Sequence, residues 1–371
     1  MDDKIFDNSP KEENAVPAEG FAEASAAEES AAAGGAPEAE EEKPSYPTVR
    51  AKLAYTNAGG ALLAFIAVIQ VAAVVISLSL VAFESPLLRT DWISLAVNFV
   101  CIYCIAVPIF YLIVRKQPVH RPPEKKLSFW GFVTVCVISV ACIFVINYVT
   151  NIVITLLNGG DPGSSDLDQL LTQSNFWLSV LFTVVFAPFF EELVFRRLLC
   201  DRLAVYGEWQ AVLFSSLAFG LFHTNVRQIP YAFALGCLFG IVYVRTGRLR
   251  YTVLLHAVVN FFGSVPSLVL IKAGAVEQIA RLVPMLSEDP VEALKFMAEH
   301  PAVIGMLVHS MVMLTLSLVG IALAIAFFKR LIRSTDAALM PRKSRFYVMF
   351  SGVFPILFIL LALYLTFQRG I

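Results

Sequence analysis

The sequence predicts an all-α membrane protein, a polytopic bundle of about nine transmembrane helices that follows a disordered acidic amino-terminal tail. The 371 residues are 58% hydrophobic and only 15% charged, and the mean hydropathy is +0.72. These values are too apolar for a water-soluble domain of this size. They exclude a nucleic-acid-binding protein and a small secreted disulfide-rich protein. The expected surroundings are the lipid bilayer of the cell membrane, which the chain crosses several times.

Residues 1–50 are predicted to be the tail, and residues 51–371 the membrane domain. The first 46 residues contain thirteen acidic and three basic side chains and only two phenylalanines. Such a segment cannot bury enough apolar surface to offset the entropy of ordering it. We therefore expect it to be disordered and cytoplasmic.

Nine apolar runs are candidates for membrane spans, because a helix needs about 20 residues to cross the hydrocarbon core. The fifth and sixth runs are short. The runs cover residues 59–83, 92–114, 129–157, 176–203, 209–223, 229–244, 251–271, 302–328 and 346–367.

The distribution of basic residues predicts the orientation. If the amino terminus is cytoplasmic, nineteen of the Lys and Arg residues after residue 46 lie on the cytoplasmic side and six on the other. Cytoplasmic loops are the ones enriched in Lys and Arg. The same count predicts that the carboxyl terminus lies outside.

Ionisable side chains within these runs are candidates for function, because a charge at the centre of a membrane helix costs about 2.5–3.5 kcal/mol. Glu191, Glu192 and Arg196 lie in the fourth run. Glu192 and Arg196 are four residues apart and share a helix face, so the arginine neutralises this carboxylate. Glu191 points about 100° away and is left for chemistry. The alternative places both glutamates in a cytoplasmic loop, but the apolar pattern continues past them.

Two further pairs have the same spacing of four residues. Phe219 and His223 end the fifth run, and His256 and Asn260 lie in the seventh. Each histidine alone could be a structural group bonded to a neighbouring helix. Two imidazoles, an amide and two carboxylates on three apolar helices satisfy one another only if they converge. We therefore predict one shared site.

Glu-Glu-x-x-x-Arg, Phe-x-x-x-His and His-x-x-x-Asn, in this order on successive spans, resemble the CPBP family of intramembrane endopeptidases, also called the Abi or CAAX-protease family. The resemblance covers residues from about 175 to 265, which we take as the protease core. It implies that Glu191, Glu192, Arg196, His223, His256 and Asn260 are catalytic and that Phe219 supports them.

The implied activity is hydrolysis of a peptide bond in a membrane-associated or lipidated protein or peptide. Two chemistries stay open. In the metal-free one, Glu191 activates water with help from His223, while His256 and Asn260 hold the oxyanion. In the other, His223, His256 and Glu191 bind Zn²⁺ and leave one position for water. The metal-free version is preferred, since Asn260 is a poor zinc ligand and a natural hydrogen-bond donor.

Two functions from other classes compete with a hydrolase. An ion- or proton-coupled transporter also needs buried charges, but at several depths along a path. A non-catalytic scaffold in bacteriocin immunity would keep the fold and need no chemistry. The identity of the substrate is not readable from the sequence.

The depths of the candidate residues lead to one more prediction. His223 ends a helix that starts near Trp209 and would lie nearer the outer face than His256. The two meet if the fifth and sixth helices, joined by residues 224–230, form a hairpin that stays below the outer surface. Gly236 and Gly240 have the spacing that lets such helices pack closely.

Overall fold

The structure is a computed structural model that describes residues 46–160, 173–331, 340 and 344–368. The predicted acidic tail lies outside the described residues as far as residue 45. Residues 46–50, which the prediction assigned to the tail, already belong to the first helix.

Helices and the segments that connect them make up the described residues, and no β-strand occurs among them. Twelve helices are numbered here in chain order. They are α1 Tyr46–Ala82, α2 Ile93–Val114, α3 Phe129–Leu157, α4 Phe176–Tyr206, α5 Glu208–Phe222, α6 Ile229–Thr246, α7 Leu249–Lys272, α8 Ala275–Glu288, α9 Pro290–Glu299, α10 Pro301–Leu331, α11 Arg345–Phe350 and α12 Val353–Gln368.

Seven of the described helices are long and apolar enough to cross a membrane, namely α1 to α4, α6, α7 and α10. The other two predicted spans correspond to α5, of 15 residues, and α12, of 16 residues. The all-α, multi-pass architecture is thus confirmed, and the predicted number of about nine spans is close.

The helices pack in two groups, and the candidate residues lie where the groups meet. The first group joins α1 to α2 and α12, and its buried core includes residues of α4 and α5. In the second, α3 packs against α6, α7 and α10. Helix α4 contacts α5 on one side and α7 on the other, so it links the two groups.

Close packing joins α5 and α6 into a hairpin, as the two glycines predicted. A Cβ atom on Gly236 would lie 3.0 Å from Cα of Ser216, and one on Gly240 would lie 3.0 Å from Cγ1 of Val212. Larger residues would force the two helices apart.

The tip of this hairpin is bonded to the side of α3. Arg227 Nη1 donates to Asn151 Oδ1 over 2.5 Å, and Asn151 precedes the last residue of α3 by six positions. The bond therefore lies about 9 Å from the end of that helix. This geometry agrees with a recessed hairpin, whose depth in the bilayer stays a prediction.

Three segments of the spans are wound as π-helix. They are Val100–Ala106 in α2 and Leu181–Phe186 and Leu193–Cys200 in α4. A π-helical turn widens the helix and changes the direction of the following side chains, and it often occurs at functional sites. Pro188 lies between the two π segments of α4.

Candidate active site

Glu192 is the centre of the site, because it joins α4 to α7 and to its own arginine. Its Oε1 lies 3.1 Å from Nδ1 of His256, and its Oε2 accepts a bond of 3.0 Å from Nε of Arg196. An ionised carboxylate has no proton to give, so Nδ1 of His256 is the donor. The predicted pair of Glu192 and Arg196 is present.

Both members of this pair are fully buried, with exposed fractions of 0%. Arg196 Nη1 also donates to the hydroxyl of Ser215 over 2.9 Å, and this hydroxyl donates to the carbonyl of Phe195 over 2.7 Å. A buried ion pair contributes little net stability, but removing one partner leaves a charge that nothing compensates. We infer that the pair fixes the position of His256.

Glu191 has a different environment from its neighbour. Its side chain is 13% exposed, and its Oε2 lies 3.8 Å from Nε2 of His256. That distance is longer than a hydrogen bond. The carboxylate therefore faces Nε2 of His256 without being hydrogen-bonded to it. The loop alternative is wrong, since α4 stays helical as far as Tyr206.

Phe219 brings the second motif into contact with the first and the third. Its ring lies 5.0 Å from the ring of His223 and 5.6 Å from that of His256, edge-on in both cases. The guanidinium of Arg196 lies 5.6 Å from its centre. His223 Nδ1 donates to the carbonyl of Phe219 over 2.8 Å. In a neutral ring the lone pair is then on Nε2.

Asn260 is turned towards α4, where it satisfies a carbonyl that the helix leaves open. Its Nδ2 donates to the carbonyl of Thr183 over 2.8 Å. Here α4 is π-helical, and the N–H of Ala187 bonds the carbonyl of Phe182, five residues back. The next bond in this pattern would run from Pro188 to Thr183, but proline has no N–H. Asn260 supplies the missing donor, and its second N–H remains for a ligand.

The structure thus gathers the residues predicted from the three motifs into one region of α4, α5 and α7. Six of them are linked through direct contacts or through the ring of Phe219, and Asn260 lies one turn further along α7. They are Glu191, Glu192, Arg196, Phe219, His223 and His256.

Ser215 is a site residue that the sequence analysis missed. It is fully buried and bonded to Arg196. A signal for it was present, since Ser215, Phe219 and His223 are spaced by four residues and lie on one face of α5.

Tyr103 was also missed, and no local pattern marks it. It lies on the π-helical segment of α2, and its ring is stacked at 4.5 Å on that of Phe190. Its phenol is close enough to Glu191 to interact with it electrostatically. Only the tertiary fold brings Tyr103 of α2 next to Phe190 of α4.

The predicted zinc ligands are His223, His256 and Glu191. Among the described residues, no group of three or more His, Cys, Asp or Glu side chains is arranged to hold a metal ion. Nδ1 of each histidine is bonded to the protein, which leaves Nε2 of each, and histidines bound to a metal are commonly held in the same way. The three side chains are not gathered as ligands in the described residues, and the need for a metal stays a prediction.

Comparisons with known proteins agree with the resemblance. Residues 173–262 match the family described as type II CAAX prenyl endopeptidase Rce1-like. The membrane-embedded CAAX protease MroQ of Staphylococcus aureus (strain USA300) is 28% identical over 151 residues, which cover 38% of this chain and 59% of that protein. The chain therefore spans less than two thirds of this relative. No solved structure matches the chain.

The matched segment contains all three motifs, in order on α4, α5 and α7. The relative reported above is named as a membrane-embedded protease, and the chain itself is a multi-pass helical membrane protein. The resemblance predicted from the motifs is confirmed: residues 173–262 match the Rce1-like family of CAAX prenyl endopeptidases, and this match supports a protein of the CPBP type.

Proposed function

We propose that the protein is an intramembrane endopeptidase that hydrolyses a peptide bond in a membrane-associated or lipidated protein or peptide, near its carboxyl end. The observation that carries this proposal is the position of His256, whose two ring nitrogens face Glu192 at 3.1 Å and Glu191 at 3.8 Å. Glu192 holds His256 in position, whereas Glu191 is available to react.

Glu191 is the proposed general base. It takes a proton from a water molecule, whose oxygen attacks the carbonyl carbon of the scissile bond. His223 supports this step by accepting a hydrogen bond from the water through Nε2, because its Nδ1 is occupied by the carbonyl of Phe219. The proton then passes from Glu191 to the leaving nitrogen as the C–N bond breaks.

His256 and Asn260 are the proposed oxyanion donors. Protonated His256 donates through Nε2, and Asn260 through the N–H that Thr183 does not use. Donors that are already fixed by the protein stabilise a developing negative charge without reorganisation. The bonds of His256 to Glu192 and of Asn260 to Thr183 supply this fixation.

The arrangement of the polar groups supports hydrolysis over transport. The carboxylates, imidazoles and arginine of the three motifs form one compact cluster, whereas a transport path needs polar groups at several depths. A non-catalytic scaffold would preserve packing but would have no need of a carboxylate such as Glu191, which is held only loosely.

The test compares the termini of membrane proteins in cells that carry the wild-type chain and the Glu191→Gln variant. We expect a small set of new carboxyl or amino termini that depends on Glu191. The Glu277→Gln variant, which changes an exposed carboxylate in α8, is the control and should give the wild-type set. Identical termini with wild type and Glu191→Gln, at equal protein levels, would contradict a protease.

A further inference from the structure

A crevice between α1, the end of α2 and the start of α12 is not used by the proposed hydrolysis. Its volume is about 430 Å³. Four apolar side chains line it, Leu53, Ile113, Pro118 and Phe354, and so do three polar ones, Asn57, Lys116 and Gln117. Lys116 and Gln117 are adjacent and form its polar end, and polar groups next to an apolar wall suit an amphipathic molecule.

Gln117 shows that the polar end lacks a partner. Its side-chain Nε2 and Oε1 are both buried and form no hydrogen bond with the described part of the chain. Leaving a buried polar group unsatisfied costs about 1–3 kcal/mol. Native proteins rarely accept this cost unless water or a ligand supplies the missing bonds.

The polar end of the crevice carries the positive charge of Lys116. The helices around the crevice show where it lies along the bundle. Ile113 is within α2, whereas Lys116 lies just past its last residue, Val114. Phe354 lies in the first turn of α12 and contacts the inner side of α1 at Gly60. Lys116 is exposed and belongs to the basic residues that the orientation places on the cytoplasmic side.

The apolar wall is open towards the surroundings of the bundle. Leu53 is 60% exposed, Ile113 41% and Phe354 43%. In a membrane protein such side chains face hydrocarbon. A water-soluble anion would gain nothing from them, whereas an acyl chain would cover them.

We propose that the crevice binds an anionic phospholipid of the cytoplasmic leaflet. Its phosphate contacts the ammonium of Lys116 and the amide N–H of Gln117, and one acyl chain lies against Leu53, Ile113 and Phe354. Basic pockets between helices on the cytoplasmic side bind anionic headgroups, and each Lys near such a headgroup contributes about 1 kcal/mol. The site is separate from the three motifs.

The test uses the full-length protein in detergent, with phosphatidylglycerol or phosphatidylcholine of identical acyl chains. Native mass spectrometry measures how much lipid stays bound. We expect phosphatidylglycerol to be retained in preference to phosphatidylcholine, and Lys116→Ala to weaken its retention about fivefold. Gln117→Leu should weaken it as well.

Lys126→Ala is the matched control, because Lys126 is exposed and on the same side but outside the crevice. It should retain the lipid as the wild type does. Equal retention of the two lipids, or equal losses in Lys116→Ala and Lys126→Ala, would overturn the proposal. So would displacement of the lipid by glycerol 3-phosphate at similar concentration, since the crevice would then be a site for a soluble phosphate. No readout depends on proteolysis.

Discussion

Nδ1 of His256 lies 3.1 Å from Oε1 of Glu192, and this contact joins α7 to α4 inside the bundle. Arg196 holds the other oxygen of the same carboxylate at 3.0 Å. The imidazole is thereby oriented with Nε2 towards Glu191. The two adjacent glutamates have separate tasks in the proposed reaction, and they should therefore respond differently to substitution.

Glu191→Gln should abolish cleavage and leave the fold intact. Gln has the same size as Glu and cannot take a proton, and loss of a general base costs about 10²–10⁴-fold in rate. The measurement is cleavage, in proteoliposomes, of a substrate identified from the cellular termini, together with thermal unfolding. An unchanged rate would exclude Glu191 as the base.

Arg196→Met should unfold at much lower denaturant concentration than the wild type. It leaves Glu192 buried without its counter-charge, which costs about 3–5 kcal/mol. The double variant Glu192→Gln and Arg196→Met removes both charges and should be more stable than Arg196→Met alone. Urea unfolding in detergent compares the wild type, the single variants Glu192→Gln and Arg196→Met, and the double variant. If the losses of stability in the two single variants add up to the loss in the double variant, the pair is not coupled.

Tyr103→Phe should lower kcat about tenfold, equivalent to about 1.4 kcal/mol, with KM nearly unchanged. The variant keeps the ring that stacks on Phe190 and removes the hydroxyl near Glu191. Tyr111→Phe on the same helix is the control, because Tyr111 is 48% exposed. Equal kinetics in the two variants would assign Tyr103 to packing alone.

Chelation should leave cleavage unaffected in the metal-free mechanism. No three donors are gathered as ligands in the described residues, and the proposed steps need only Glu191, the histidines and Asn260. The measurement is activity before and after dialysis against a strong chelator, with metal analysis of the protein. Loss of activity that one equivalent of zinc restores would favour the alternative set of ligands.

A cysteine at position 225 should react poorly with an impermeant maleimide added outside cells. Asn225 lies in the connection between α5 and α6, next to the bond of Arg227 to Asn151. A cysteine at Glu292, exposed on α9, is the control and should react readily. Both are placed in a variant whose six native cysteines are replaced. Equal labelling would contradict the recessed hairpin.

The sequence predicts those residues of the site whose side chains are unusual in an apolar, membrane-spanning segment. Glu192 and Arg196 are recognisable because charges in an apolar run must be paired, and their spacing identifies the partner. His256 and Asn260 follow from the same reasoning on another helix. The long apolar runs likewise predict the membrane spans and nearly their number.

Other features depend on contacts that no local pattern encodes. Tyr103 is separated from Glu191 by most of two spans and becomes a neighbour only through packing. The π-helical segments of α4 are not visible either, since their five-residue bonds arise from how the helix fits its neighbours. Asn260 was expected to serve the oxyanion alone, whereas one of its N–H groups is bonded to Thr183.

The bond of Asn260 to Thr183 and the contact of His256 with Glu192 together restrict how α4 and α7 can move against each other. Helices α4 and α7 are fastened at two points, one turn apart on α7. Sliding of α4 past α7 would break both of these hydrogen bonds at once and expose the buried charge of Glu192. We therefore expect α4 and α7 to stay together if a peptide enters the bundle, and other helices to move to admit it.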